Sequence, residues 1–201
     1  MTADDTHDEA SLADAAAAVR EGRAVVYPTE TVYGLGADAT DPDAVERVFG
    51  LKRRSRANPL SLGVPSVDAA LDYTRPTAVE EQFMRRFLPG PVTVVVERRP
   101  SLPDVLTAGR DRVGVRVPDH ETALDLLERA PPLTATSANR SGSPSVTRIS
   151  ALDDRIRDGV AVVVDGGETP GTESTVVDPG AGVIHRRGAM ADDIDAWLET
   201  Q

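Results

Sequence analysis

Apolar residues in this chain arrive in short β-branched runs, each cut off by proline, glycine or charge. Val92–Val96 and Val113–Val117 are the clearest and read as strands. Ala24–Tyr27, Leu60–Val64, Leu133–Thr136 and Val160–Val164 have the same look, the last with the composition of a buried strand. Thr175–Val177 and Val183–His185 read as a hairpin pair around Pro179-Gly180-Ala181-Gly182. Helical stretches lie between the runs. Leu12–Arg20 is Ala-rich and stops at Gly22. Asp41-Pro42 opens a helix, with Asp41 as N-cap and Pro42 in first position; Val45, Val48 and Phe49 share a face before Gly50. Ser66–Leu71 is a short helix, and Thr77–Leu88 repeats Val79, Phe83 and Phe87 at helical spacing. Glu121–Arg129, Ile149–Arg157 and Asp192–Leu198 complete the set. Helices and strands mix without strict alternation, which predicts an α/β or α+β domain around a twisted, mixed sheet.

At 201 residues the chain has room for one domain with a real core, hardly two. Residues 1–8 read as a loose acidic tail and 9–201 as a single domain. Hydrophobic residues are 40 % but aromatics only 3 %, so Val, Leu, Ile and Ala must build the core. No apolar run nears the ~20 residues of a membrane span, and the N-terminus has no secretion-signal pattern. With no cysteine, disulfides, thiolate nucleophiles and Cys-held metals are excluded. The expectation is a soluble cytoplasmic protein with no membrane partner.

Net charge is -11, which disfavours broad affinity for nucleic acid. Of 22 basic residues only Lys52 is lysine. Abundant acid with almost no lysine fits adaptation to high salt, where screening shortens to about 3 Å at 1 M; a coding bias toward Arg and Ala fits equally well. The lone lysine sits in Lys52-Arg53-Arg54-Ser55-Arg56, so four positive charges fall within five residues. Such a cluster is either solvated or faces an anion. Arginine offers a planar fork to phosphate and lysine a point charge.

Other segments carry possible chemistry. Tyr27-Pro28-Thr29-Glu30-Thr31-Val32-Tyr33-Gly34-Leu35-Gly36 runs from a strand into hydroxyls and two glycines that would let backbone approach a ligand; an ordinary turn is the alternative. Thr134 to Ser145 (TATSANRSGSPS) empties a strand into small hydroxyl and amide groups suited to a phosphate or ribose cradle. Arg116 lies inside an apolar strand and needs a carboxylate, from ligand or protein. Glu173 to Asp178 and His185 to Ala189 are weak signals individually. P-loop, GxGxxG, HExxH and EF-hand patterns are absent, and His7, His120 and His185 are too scattered to ligate a metal.

Taken in order, PTETVYGLG, Lys52-x-Arg54 before Asn58-Pro59-Leu60, SANRSG, STVVD and the late Arg-x-Gly-Ala resemble the Sua5/YciO/YrdC family of threonylcarbamoyl-AMP synthases. The match runs from about Tyr27 to Ala189. The resemblance implies a YrdC-like twisted mixed sheet, flanked by helices and curved around a positively charged cavity. It implies the reaction of L-threonine, bicarbonate and ATP to threonylcarbamoyl-AMP and pyrophosphate, with Mg²⁺ accompanying ATP. The product would pass to a downstream threonylcarbamoyl transferase complex for t6A at tRNA position 37. Residue by residue, Thr31, Arg116 and Ser174 match threonine contacts, Arg116 at its carboxylate. Lys52 and Arg54 match the catalytic pair at the triphosphate. Asn58, Ser137, Asn139, Ser145 and Arg186 match the ATP side.

Departures go with the match. Gly63 stands where many relatives have His, and Ala135 and Arg112 where some have Thr. Arg187 replaces a usual Pro, which leaves the register of Arg186 ambiguous by one. The sequence runs to Gln201, so the expectation is a resemblance to the short, single-domain form rather than to the long two-domain relatives. A YciO-type paralogue with another substrate and a double-stranded RNA-binding module are the rival readings, and direct contact with tRNA stays open.

Overall fold

The computed structural model describes residues 3–200, with side chains from residue 11 onward. Among the described residues nine strands form one sheet: β1 Val25–Tyr27, β2 Gly34–Gly36, β3 Ser61–Gly63, β4 Val92–Glu97, β5 Arg112–Arg116, β6 Leu133–Ser137, β7 Val162–Val163, β8 Thr175–Asp178 and β9 Val183–Arg186. Their order is β7-β1-β2-β6-β3-β5-β4-β8-β9. The β1–β7, β3–β5 and β4–β8 pairs are parallel and the others antiparallel. Central β6 joins the halves, pairing β3 through Leu133–Ala135 and β2 through Thr136–Ser137.

Helices flank this mixed sheet: α1 Ala3–Arg20, α2 Pro42–Lys52, α3 Val67–Leu71, α4 Ala78–Phe87, α5 Asp104–Thr107, α6 Glu121–Arg129, α7 Asp154–Gly159 and α8 Ala191–Leu198. Asp41 caps α2 as expected, accepting from the Asp43 N–H. A capping box of Thr77 and Glu80 starts α4. One layer of core lies between α1, α6 and the sheet; the alanines of α1 (Ala15, Ala16, Ala18) let it pack close to Leu126 and Leu127. The larger cluster gathers α2, α4 and α8, with Trp197 edge-on to Phe83 at 4.9 Å.

Several expectations change in detail. Helix α1 starts at Ala3, so most of the stretch read as a loose tail is helical. Residues 1–2 lie outside the described residues. The Ile149–Arg157 helix is split into a 3₁₀ turn at Ile149–Ala151 and α7, because Asp153 caps a new start by accepting from the Arg155 N–H. Val79 is 39 % exposed, and the buried stripe of α4 is instead Glu80, Phe83, Met84 and Phe87. In the 160–164 run only Val164 is buried, since β7 is a sheet edge.

Candidate active site

Strand alternation creates the site. Along β4, Val92, Val94 and Val96 enter the core while Thr93 and Val95 face the other way. On β5, Val113 and Val115 are core, and Arg112, Gly114 and Arg116 share the opposite face. On β3, Leu62 is core and Ser61 and Gly63 face out. These outward residues line a cavity of about 770 Å³, within the usual range for ligand sites. Eight of the nine strands contribute to its wall, so the sheet curls around it. Five arginines line it (Arg54, Arg110, Arg112, Arg116 and Arg186) against two carboxylates, Glu173 and Asp178. A locally positive hollow therefore sits inside an anionic chain. Gly114 belongs to its floor because a Cβ there would meet Ser61 Oγ at 2.8 Å and Thr93 Cγ2 at 2.9 Å.

The basic cluster after α2 divides between inside and outside. Arg53 caps the helix in the left-handed conformation at φ 49°, which turns the chain. Arg56 pairs with Glu46 at the surface. Arg54 points into the cavity, held by the carbonyls of Asn58 and Pro59, each at 2.9 Å. Burial and the charge of Arg186 both push its pKa down. Lys52 is 1 % exposed and does not line the cavity. Its ammonium donates to the carbonyls of Ser137 and, at 2.6 Å, Asn139. Burial, with a smaller contribution from Arg54, lowers its pKa to about 7.

Arg116 finds a protein partner. Its Nη2 donates to Glu30 at 2.7 Å and to Thr31 Oγ1 at 3.4 Å; its Nη1 donates to the carbonyls of Gly90 and Val92 at 2.6 and 3.1 Å. These bonds engage both terminal nitrogens, so the guanidinium is held in place by groups of the protein. Thr29 Oγ1 donates to the Val32 carbonyl, so Thr31 is the donor in the 2.9 Å contact between the two threonines. Tyr33 does not read a ligand: its hydroxyl donates to Gly167 O at 2.7 Å and accepts from Gly166 N–H at 3.0 Å. The space above Gly34 is taken by the Tyr27 ring, 2.8 Å from where a Cβ would lie.

Of the other predicted residues, Asn58, Ser137, Ser174 and Arg186 line the cavity, and Asn139 and Ser145 do not. Arg186 Nη2 donates to Ser174 O and Oγ, each at 2.8 Å. Asn139 is buried, bracing its loop through Nδ2 to the carbonyls of Arg140 and Ser143 while Oδ1 has no partner. Ser145 instead donates to Glu173 at 2.6 Å. Arg112 Nη2 joins Glu80 at 2.6 Å and Asp178 at 2.8 Å, tying the β8–β9 hairpin to α4.

A family model described as Telomere recombination (Sua5_yciO_yrdC) matches residues 17–188. The chain belongs to the Sua5/YciO/YrdC family. Threonylcarbamoyl-AMP synthases of Pyrococcus abyssi and Bacillus subtilis are 42 % and 39 % identical to it, covering 85 % and 95 % of this chain and 51 % and 53 % of their own. This member thus spans about half the length of those relatives. A solved structure of P. abyssi Sua5 complexed with L-threonine superposes with a TM-score of 0.82 at 40 % identity, over 88 % of this chain and 54 % of that one. E. coli YciO superposes at 0.81 with 26 % identity, over 89 % of each chain.

Some site residues of this family member escaped sequence reading. Glu30 stands within Tyr27–Gly36 and has no role by sequence alone, although a buried Arg116 calls for a carboxylate. Arg112 and Arg116 sit two residues apart, the period that puts side chains on one strand face, and that spacing was the available signal. Arg110 and Thr93 gave none. Gly63 and Ala135 share one region of the floor, a Cβ built on Gly63 lying 3.5 Å from that of Ala135.

Proposed function

We propose that this chain is an L-threonylcarbamoyladenylate synthase, a nucleotidyltransferase of the cytoplasm. It makes threonylcarbamoyl-AMP and pyrophosphate from L-threonine, bicarbonate and ATP, for t6A formation in tRNA. The observation that carries this reading is the five-arginine cavity, bordered by the hydroxyls of Thr31, Thr93 and Ser174, in a chain of charge -11. The names of the relatives and the threonine complex of one of them support it.

Bicarbonate takes up a proton and loses water to give carbon dioxide; threonine's neutral amine adds to it and releases a proton to solvent, leaving a carbamate. A carbamate oxygen then attacks the α-phosphate of ATP, and the bond to pyrophosphate breaks. Arg54 and Arg186 neutralise phosphate charge and hold the reactants in line. Lys52 acts from beneath, fixing the Ser137–Asn139 backbone. Thr31, Arg116 and Ser174 border the amino acid. Mg²⁺ would accompany the phosphates of ATP and supply further neutralisation of their charge. The product passes to a downstream threonylcarbamoyl transferase.

The test mixes purified protein with ATP, bicarbonate and each amino acid in turn and follows pyrophosphate release. Threonine-dependent release is expected. Release driven by another acceptor makes it a YciO-type paralogue, and no release with tight RNA binding makes it a binding module.

A further inference from the structure

The loop between β7 and β8 brings into the cavity a carboxylate for which the chemistry above has no use. Glu173 lines the cavity, and its two oxygens hold two different groups: Oε1 accepts from Ser145 Oγ at 2.6 Å, and Oε2 lies 3.0 Å from Arg186 Nη1. A guanidinium and a hydroxyl are the donors that phosphate oxygens take. The Glu173 backbone is fixed, its carbonyl accepting from the Ala189 N–H at 3.0 Å. Its charge also reaches Lys52, whose protonated form it favours. Arg54 and Arg186 repel each other nearby. The acid therefore sits among the cations of the nucleotide side. Its pair with Arg186 is open to exchange, with side chains 46 % and 44 % exposed.

We propose that Glu173 is a built-in stand-in for phosphate: it keeps Arg186 and Ser145 in place in the ligand-free protein and yields them to a phosphate oxygen when a polyphosphate enters. The proposal rests on the ATP reading above. It makes Glu173 a positioning residue that sets nucleotide affinity.

The test is calorimetric titration of the full chain with inorganic tripolyphosphate and with ATP, for wild type, Glu173→Gln and Glu173→Asp. The amide keeps the shape and an oxygen for Ser145 but removes the charge that competes with phosphate. Glu173→Gln is expected to bind tripolyphosphate about three- to tenfold tighter, the scale of a half-exposed ion pair plus one lost repulsion. Glu173→Asp, with its shorter arm, should tighten binding less, and it serves if the amide variant does not fold. Equal or weaker binding in a folded variant overturns the proposal. Pyrophosphate release is read separately. Its absence together with tighter tripolyphosphate binding counts against the synthase reading alone, normal release without tightening counts against Glu173 alone, and absence of both sinks both.

Discussion

Burying Lys52 has a cost that pH exposes. The residue is 1 % exposed, and its ammonium donates to two carbonyls. Lowering an amine from its ordinary 10.5 to about 7 corresponds to a penalty on the charged form on the order of 5 kcal/mol. Because the folded pKa lies below the unfolded one, the unfolded chain holds the extra proton between about pH 7 and 10.5. Unfolding free energy should therefore rise with pH in that window, by up to about 1.4 kcal/mol per unit, and the whole penalty applies below it. Tyr27 and Tyr33, both pushed up to about 12 by burial, act in the opposite sense above pH 10, so measurements stop there. Urea unfolding of wild type and Lys52→Met at pH 7, 8 and 9 isolates the effect. The variant orphans two carbonyls at every pH, which offsets its stability without changing the slope. As the chain has one lysine, ¹³C-lysine labelling gives one Cε resonance whose midpoint reads the pKa directly. Adding tripolyphosphate should raise that midpoint, since a nearby anion favours the ammonium. Parallel unfolding slopes, or a midpoint near the ordinary lysine value, would refute the reasoning.

Other outcomes follow from the same geometry. Arg54→Ala should cut pyrophosphate release by orders of magnitude while circular dichroism and melting temperature stay near wild type, because Arg54 is anchored only to two loop carbonyls. Arg116→Met should cost about 3–5 kcal/mol in urea unfolding by stranding Glu30 without its countercharge, and adding Glu30→Gln should restore part of it; additive losses would show that the pair is not coupled. Raising KCl toward molar levels should raise the melting temperature of a chain with charge -11, and a maximum at low salt would rule out salt adaptation.

Most elements were legible because local chemistry and tertiary demand agreed. The β-branched runs of β4 and β5 are strands, Asp41-Pro42 opens α2, and the two late runs pair as a hairpin. What escaped was set by distant partners. The Gly-Leu-Gly of β2 has no strand propensity and is held extended by pairing β1 and β6 at once. In the site, motif resemblance named residues without giving their direction. Asn139 and Ser145 match nucleotide contacts by motif; the structure adds that Asn139 Nδ2 braces its loop and that Ser145 donates to Glu173. The motif says nothing of Glu30, which the Arg116 guanidinium meets together with Thr31 and two carbonyls. Sequence can say that a buried arginine needs an acceptor, but not which of many acceptors reaches it.

How a strongly acidic chain keeps a positive hollow is answered by what holds its cations. At the surface, Arg56, Arg85, Arg148 and Arg187 are each matched to carboxylates, which cancels their charge. Around Arg54 and Arg186 the anchors are backbone carbonyls: Ser137 and Asn139 for Lys52, Asn58 and Pro59 for Arg54, Ala57 for Arg110, and Ser174 for Arg186. A carbonyl dipole fixes the direction of a cation and leaves its formal charge intact, so these groups are oriented and still uncompensated when an anion arrives. The cost appears as the lowered pKa of Lys52 and of Arg54. Within that set Arg186 alone also meets a carboxylate, Glu173, and a site built to leave positive charge unspent gives that one acid its significance.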